Sequence, residues 1–153
     1  MSFEITSRSF ENGASIPVEY TCDGDDTSPH ILWDDAPKDT VTFALIMEDP
    51  DAPGGTFTHW IVYNIPSDVN GFDPVVPIVK NLDNGAIHGK NDFGKYGYRG
   101  PCPPKGEEHA YHFKLFALNR KLAPESAAKR DSFYEAIKGS VLAEAEYVGK
   151  FRH

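Results

Sequence analysis

A mainly β single domain is what the sequence predicts, and three observations predict it. Five short runs rich in β-branched and aromatic residues are set off by Asn-Gly, Asp-Gly, Gly-Gly and proline signals, a pattern that points to a β sandwich or barrel. Glycine and proline are frequent, 13 and 12 of 153 residues, so elements should be short and turns many. Only one stretch, late in the chain, carries a helical stripe. A single domain over residues 1–153 is expected, since no repeat, low-complexity tract or linker divides the chain. A chain of this length buries roughly 70% of the surface it would expose unfolded.

In order, the predicted strands cover 16–21, 30–33, 41–48, 57–65 and 109–118. Residues 66–106 hold several Pro and Gly and few apolar runs, which predicts surface loop with one or two short strands. Over 129–141, Phe133, Ile137 and Val141 recur four apart and predict one helix with that stripe packed inward. From 143 to 151 alternation returns, with Ala145, Tyr147, Gly149 and Phe151 on one side, and predicts a last strand.

The formal charge is −8, with 15 Lys and Arg against 23 Asp and Glu, so a nucleic-acid duplex or an anionic membrane would repel the chain. No nucleic-acid partner is expected, and no membrane insertion: the longest apolar run, 43–47, falls well short of the roughly 18 residues that span a bilayer. Glu4 and Glu11 interrupt the stretch where a secretory signal would be apolar, and the expectation is a soluble, cytoplasmic protein. Cys22 and Cys102 are too few for a disulfide scaffold and lack CxxC spacing, so a permanent bond between them is the disfavoured reading.

The chemistry lies where apolar rows end. Val41, Phe43, Leu45 and Met47 form a core row whose next member is Asp49. The row His59, Ile61, Tyr63, Ile65 and the row His109, Tyr111, Phe113, Leu115, Ala117 each begin with an imidazole. An antiparallel hairpin of 41–48 with 57–65 sets Asp49 beside His59. If His109 starts at the same rim, Asp49, Asp51, His59, His109 and Tyr111 line one pocket, a step that assumes a strand order periodicity does not supply. The loop Asp49-Pro50-Asp51-Ala52-Pro53-Gly54-Gly55-Thr56 is stiffened by its prolines, and Ala52-Pro53 is a candidate cis bond.

Taken singly, the Asp-Pro loop is ordinary turn chemistry and a histidine at a strand start is structural. Convergence of three apolar rows on Asp, His and His-x-Tyr favours a site, because buried titratable groups are costly unless paired or solvated. His112 faces away from His109, while His88 and His153 are expected at the surface; His30 stays open, and Asp23, Asp25 and Asp26 read as a solvated turn. Two carboxylates and two imidazoles could hold a metal, so a metal-dependent hydrolase competes. Against it, no H-x-H or H-E-x-x-H spacing is present. Imidazole N–H groups, the Tyr111 hydroxyl and loop N–H groups suit an oxyanion, and Asp49 and Asp51 suit an attached ammonium, as in phosphoethanolamine. The reading is a non-enzymatic small-anion binder, with no cofactor or metal.

Three motifs extend this: Thr27-Ser28-Pro29-His30-Ile31-Leu32-Trp33; Asp49-Pro50-Asp51-Ala52-Pro53 leading to Thr58-His59-Trp60; and 97–111, with Gly100-Pro101-Cys102-Pro103-Pro104-Lys105-Gly106 and His109-Ala110-Tyr111. On these the chain resembles the phosphatidylethanolamine-binding protein family, also called Raf kinase inhibitor proteins, most closely its small bacterial and archaeal branch. The resemblance implies two packed antiparallel sheets with one or two short peripheral helices near the C-terminal end. It implies no established enzymatic activity, and a ligand-binding or inhibitory role toward kinases or serine proteases; inhibition through a surface independent of the pocket is the alternative. As ligand-binding residues it implies Asp49, Asp51, His59, His109 and Tyr111, with Cys102 at the loop position whose backbone closes the pocket. Small bacterial members tend to pair, so a homodimer is a further expectation. Where the family motif has Arg between His and Tyr, this chain has Ala110, so a buttressing ion pair should be missing while the pocket chemistry survives. The short C-terminal helix and strand stand in place of the longer segment of animal members, so kinase-inhibitor and lipid-gating roles tied to that segment carry over weakly.

Overall fold

Residues 2–153 are described by a computed structural model. In chain order the elements are β1 Glu4–Thr6, β2 Ile31–Asp34, β3 Thr42–Asp49, β4 Phe57–Pro66, β5 Gly71–Phe72, β6 Ile87–His88, β7 Glu108–Leu118, α1 Arg130–Ile137 and β8 Val141–Arg152. The strands build two antiparallel sheets, ordered β1-β2-β5 and β6-β4-β3-β7-β8. The fold is mainly β, two sheets with one short helix, as the sequence predicts.

Every residue of β3 is buried, because both of its faces are covered. Phe43, Leu45 and Met47 pack with Ile31, Trp33 and Phe72 of the smaller sheet. Ala44 and Ile46 face the other way and pack beneath Phe133 and Ile137 of α1. Burying each large apolar side chain contributes roughly 2 kcal/mol, so two-sided burial makes β3 the axis of the molecule.

β7 keeps strict alternation, with His109, Tyr111, Phe113, Leu115 and Ala117 all buried. β4 does not. Phe43 pairs with Ile65 but Leu45 with Val62, and Met47 pairs with Trp60 but Glu48 with Thr58, so each slip adds one residue to β4. Tyr63 and Asn64 share the first slip, Asn64 in the left-handed region at φ 54°; His59 is the extra residue of the second. The expected row His59, Ile61, Tyr63, Ile65 is therefore not one face. Ile61 and Tyr63 lie under α1, and Ile65 lies between the sheets. A bulge, which period-2 reading cannot see, aims His59.

Other expectations change for local reasons. Residues 16–21 form a 3-10 turn, Val18–Tyr20, after Pro17, which has no N–H for a ladder. α1 stops at Ile137 because Gly139 turns left-handed at φ 77°, so Val141 opens β8 and is half-exposed instead of completing the helical stripe. β1, three residues paired to β2, was not predicted; β5 and β6 are the two short strands expected within 66–106. No peptide bond among the described residues is cis, Ala52-Pro53 included; Gly55, at φ 107°, supplies a left-handed residue in this loop without one. Cys22 and Cys102, 80 residues apart, are disulfide-bonded, contrary to the sequence reading. Their loops meet because the Cys22 N–H donates to the Pro101 carbonyl at 3.1 Å, a proximity that spacing along the chain cannot reveal. No helix among the described residues is long and apolar enough to cross a membrane.

Candidate functional site

Antiparallel pairing of β3 with both neighbours carries three polar groups to one rim: Asp49 at the end of β3, the bulged His59 of β4 and His109, the second residue of β7. Asp49, His59, Cys102, His109 and Tyr111 line a cavity of about 360 Å³ whose other walls include Pro53, Phe57, Phe93 and Pro104. Asp51 lies outside it. Exposed on the loop, Asp51 accepts the Ala110 N–H at 3.0 Å and donates its own N–H to Asp49 at 2.8 Å, so it ties the loop to β7 and steadies Asp49. With no side chain at Ala110 to form an ion pair, this main-chain bond still buttresses the rim.

His109 stands between two carboxylates. Its Nδ1 is 2.7 Å from Asp49 Oδ2 and its Nε2 is 3.0 Å from Glu107 Oε1. Ionised carboxylates only accept, so both ring nitrogens donate and the ring is an imidazolium. Burial draws its pKa down, but Glu107 and Asp49 more than offset this and hold it above the ordinary value. His59 is the opposite case. Its Nδ1 donates to the Arg99 carbonyl at 2.7 Å, and burial holds it below the ordinary value despite that bond and the Asp49 charge. Neutral His59 therefore keeps a lone pair on Nε2.

Tyr111 is fully buried, and its hydroxyl has no hydrogen-bond partner among the described residues. The nearby Cys102 backbone slightly favours its ionised form without satisfying the hydroxyl. Burial, then the charges of Asp49 and Asp51, push its ionisation far up, so it remains a neutral donor. The His59 and Tyr111 rings meet edge-on at 5.3 Å, and both residues line the same cavity.

The loop that closes the cavity is braced from behind by residues whose role was not anticipated. Asp26, expected in a solvated turn, pairs with Arg99 Nε at 3.0 Å and accepts the Gly100 N–H at 2.7 Å. Gly100 packs so closely that a Cβ there would lie 2.1 Å from the Tyr20 carbonyl oxygen. Asp23 pairs with His153, which is only partly exposed and whose Nδ1 donates to the Pro103 carbonyl at 2.6 Å. His88 is likewise no surface residue: buried, it accepts the Trp60 indole N–H at 3.0 Å and donates to the Val79 carbonyl. His30 is buried and structural, taking the Arg8 N–H. His112 pairs with Glu146 at the surface. Glu107 and Phe93 join the site without being among the sequence-predicted residues. Glu107 had a signal, since it precedes His109 by two and so extends the His109–Tyr111 row; Phe93, in an irregular loop, had none.

A sequence model of the phosphatidylethanolamine-binding protein family matches residues 6–152. The UPF0098 protein of Aquifex aeolicus is 49% identical over 151 residues, 97% of this chain and 88% of that protein. The UPF0098 protein of Methanothermobacter thermautotrophicus is 43% identical and covers 97% of both chains. Among solved structures, E. coli YBCL, described as a member of the mammalian PEBP family, matches with a TM-score of 0.91 at 32% identity over 100% of this chain and 99% of its own. Chlamydia trachomatis CT736, described as a homologue of the same family, matches with a TM-score of 0.90 at 34% identity over 99% and 98% of the two chains. With the fold, nearly the full length and the curated relatives in agreement, the chain belongs to the phosphatidylethanolamine-binding protein family.

Proposed function

We propose that the protein is a non-enzymatic binder of a small ligand carrying both an acceptor oxygen and a donor group, with hydrogen phosphate or a phosphoryl-amine headgroup as the simplest members of that class. The observation that carries this reading is the Tyr111 hydroxyl: buried, uncharged, unpartnered and lining the cavity. A buried donor left without a partner costs about 1–3 kcal/mol, a cost removed when a ligand oxygen accepts from it. The His59 lone pair beside it suits a ligand P–OH or ammonium. His109 spends both ring nitrogens as donors, which argues against a hydrolytic metal held by the two histidines. The Cys22–Cys102 bond favours an oxidising compartment over the cytoplasmic one expected from composition.

Calorimetric titration with phosphate and with phosphoethanolamine, on wild type and Tyr111→Phe, tests the reading. Loss of a hydrogen bond to a charged oxygen should weaken binding about tenfold in the variant. Equal affinity of the two proteins, or no binding by wild type, would overturn it.

A further inference from the structure

We infer that Glu107 is an internal competitor for the ligand's oxyanion: its carboxylate occupies the charged donor that an incoming oxygen must take, and so governs how tightly oxyanions bind. The inference rests on the ligand reading above and adds to it a residue that sets affinity.

The geometry is asymmetric. His109 has a 4% exposed side chain, whereas that of Glu107 is 54% exposed, so a solvent-facing carboxylate caps a buried ring. Among the described residues no Lys or Arg lines the cavity, so His109 is the cation of its lining, and its Nε2–H is taken by Glu107. Of the two carboxylates flanking the ring, Asp49 cannot leave: it is buried and held by the Asp51 N–H. Glu107 can. Its main chain is pinned, the N–H donating to the Pro104 carbonyl and the carbonyl accepting from the His153 N–H, so uncapping needs only side-chain rotation and no movement of the loop.

An oxyanion that enters therefore exchanges one anion for another at His109 Nε2. Phosphate, able to accept also from Tyr111, gains a second bond in the exchange; an anion reaching Nε2 alone gains little over the carboxylate already there. The other groups facing His109 do not change in this step: Asp49 from β3, His59 from β4, Tyr111 on its own strand, Asp51 at Ala110, and uncharged Phe151 opposite on β8.

Calorimetric titration with inorganic phosphate on wild type, Glu107→Gln and Glu107→Ala tests the competition, alongside an NMR titration of the His109 ring in the ligand-free proteins. Both variants should bind phosphate roughly tenfold tighter than wild type, as expected for removing a charge-assisted rival. Their His109 ring should titrate at lower pH, having lost one of its two carboxylates, a readout independent of any ligand. Phosphate binding that is equal or weaker in both variants overturns the competition and leaves the ligand reading standing. Absence of phosphate binding in all three proteins overturns both.

Discussion

Glu48 and Asp49 are neighbours on β3, equally buried, and project to opposite faces of the larger sheet. On its face, Glu48 meets Arg130 Nε at 2.6 Å, the Tyr134 hydroxyl at 2.8 Å and Lys114 Nζ at 3.2 Å. Burial would raise its carboxyl, but these three donors outweigh it and hold the pKa below the ordinary value. Nothing is left over, and the cluster's work is to fasten α1 to the sheet. On the other face, Asp49 shares His109 with the displaceable Glu107, beside a Tyr111 hydroxyl that has no partner among the described residues. A buried carboxylate does not by itself mark a site; what distinguishes the two faces is unspent hydrogen-bonding capacity next to a cavity.

The sharpest way to break the contrast is to release the brace on the Asp49 side alone. Reducing Cys22–Cys102, or replacing Cys102 with Ser, opens a loop of 80 residues and should cost about 4 kcal/mol in urea unfolding. Amide exchange should accelerate in 97–107 well before it does in α1; equal acceleration of both would show that the two faces are not independent. Glu48→Ala should cost about 1–2 kcal/mol, since Lys114 and Arg130 are 36% and 37% exposed and regain water, while phosphate affinity stays within twofold. A large affinity loss would erase the distinction between a fastening carboxylate and a site carboxylate.

The histidines sharpen the contrast through pH. His59 and His88 are held below their ordinary value near 6.5, burial being the main cause in each. The unfolded chain therefore binds more protons at these positions, and stability falls as pH drops below 6.5 toward the folded-state values. His109 is held above 6.5, so its contribution is complete below that pH and is lost as pH rises through the raised value. Urea midpoints from pH 5 to 8 should decline on the acid side in wild type, and the decline should shrink in His88→Gln. An acid-side slope of opposite sign would refute the assignment. The smallest expected effect on stability belongs to Tyr111→Phe. Removing an unpartnered hydroxyl should leave stability within about 0.5 kcal/mol or raise it, even as binding weakens. A clear destabilisation would mean that the hydroxyl is already satisfied.

Much of the scaffold was legible because the signals are local. Alternation in 41–48 and 109–118 is a two-residue property, and the Asp-Pro loop between two apolar runs announces a tight connection at a rim. His59 reached its correct neighbours by a route the alternation did not describe: its row dissolves at two bulges, and the second of these aims the ring. Asp51, expected at the pocket on the same logic, lies outside the cavity lining and accepts the Ala110 N–H. Glu48 carries no local signal because its partners, Arg130 and Tyr134, lie 82 and 86 residues away.

By itself the sequence determined the strand and helix periods, the apolar rows and the polar residues that end them, since each of these depends on side chains a few positions apart. Only the tertiary structure decided the Cys22–Cys102 bond, the bulge that turns His59 inward, the clamp of Asp26 on Gly100 and the Glu107 cap on His109. Most of these depend on how loops close and strands register across tens of residues, and a one-residue change of register reverses which face a side chain occupies. No local period encodes that choice; it is settled by which arrangement buries both faces of β3 at once.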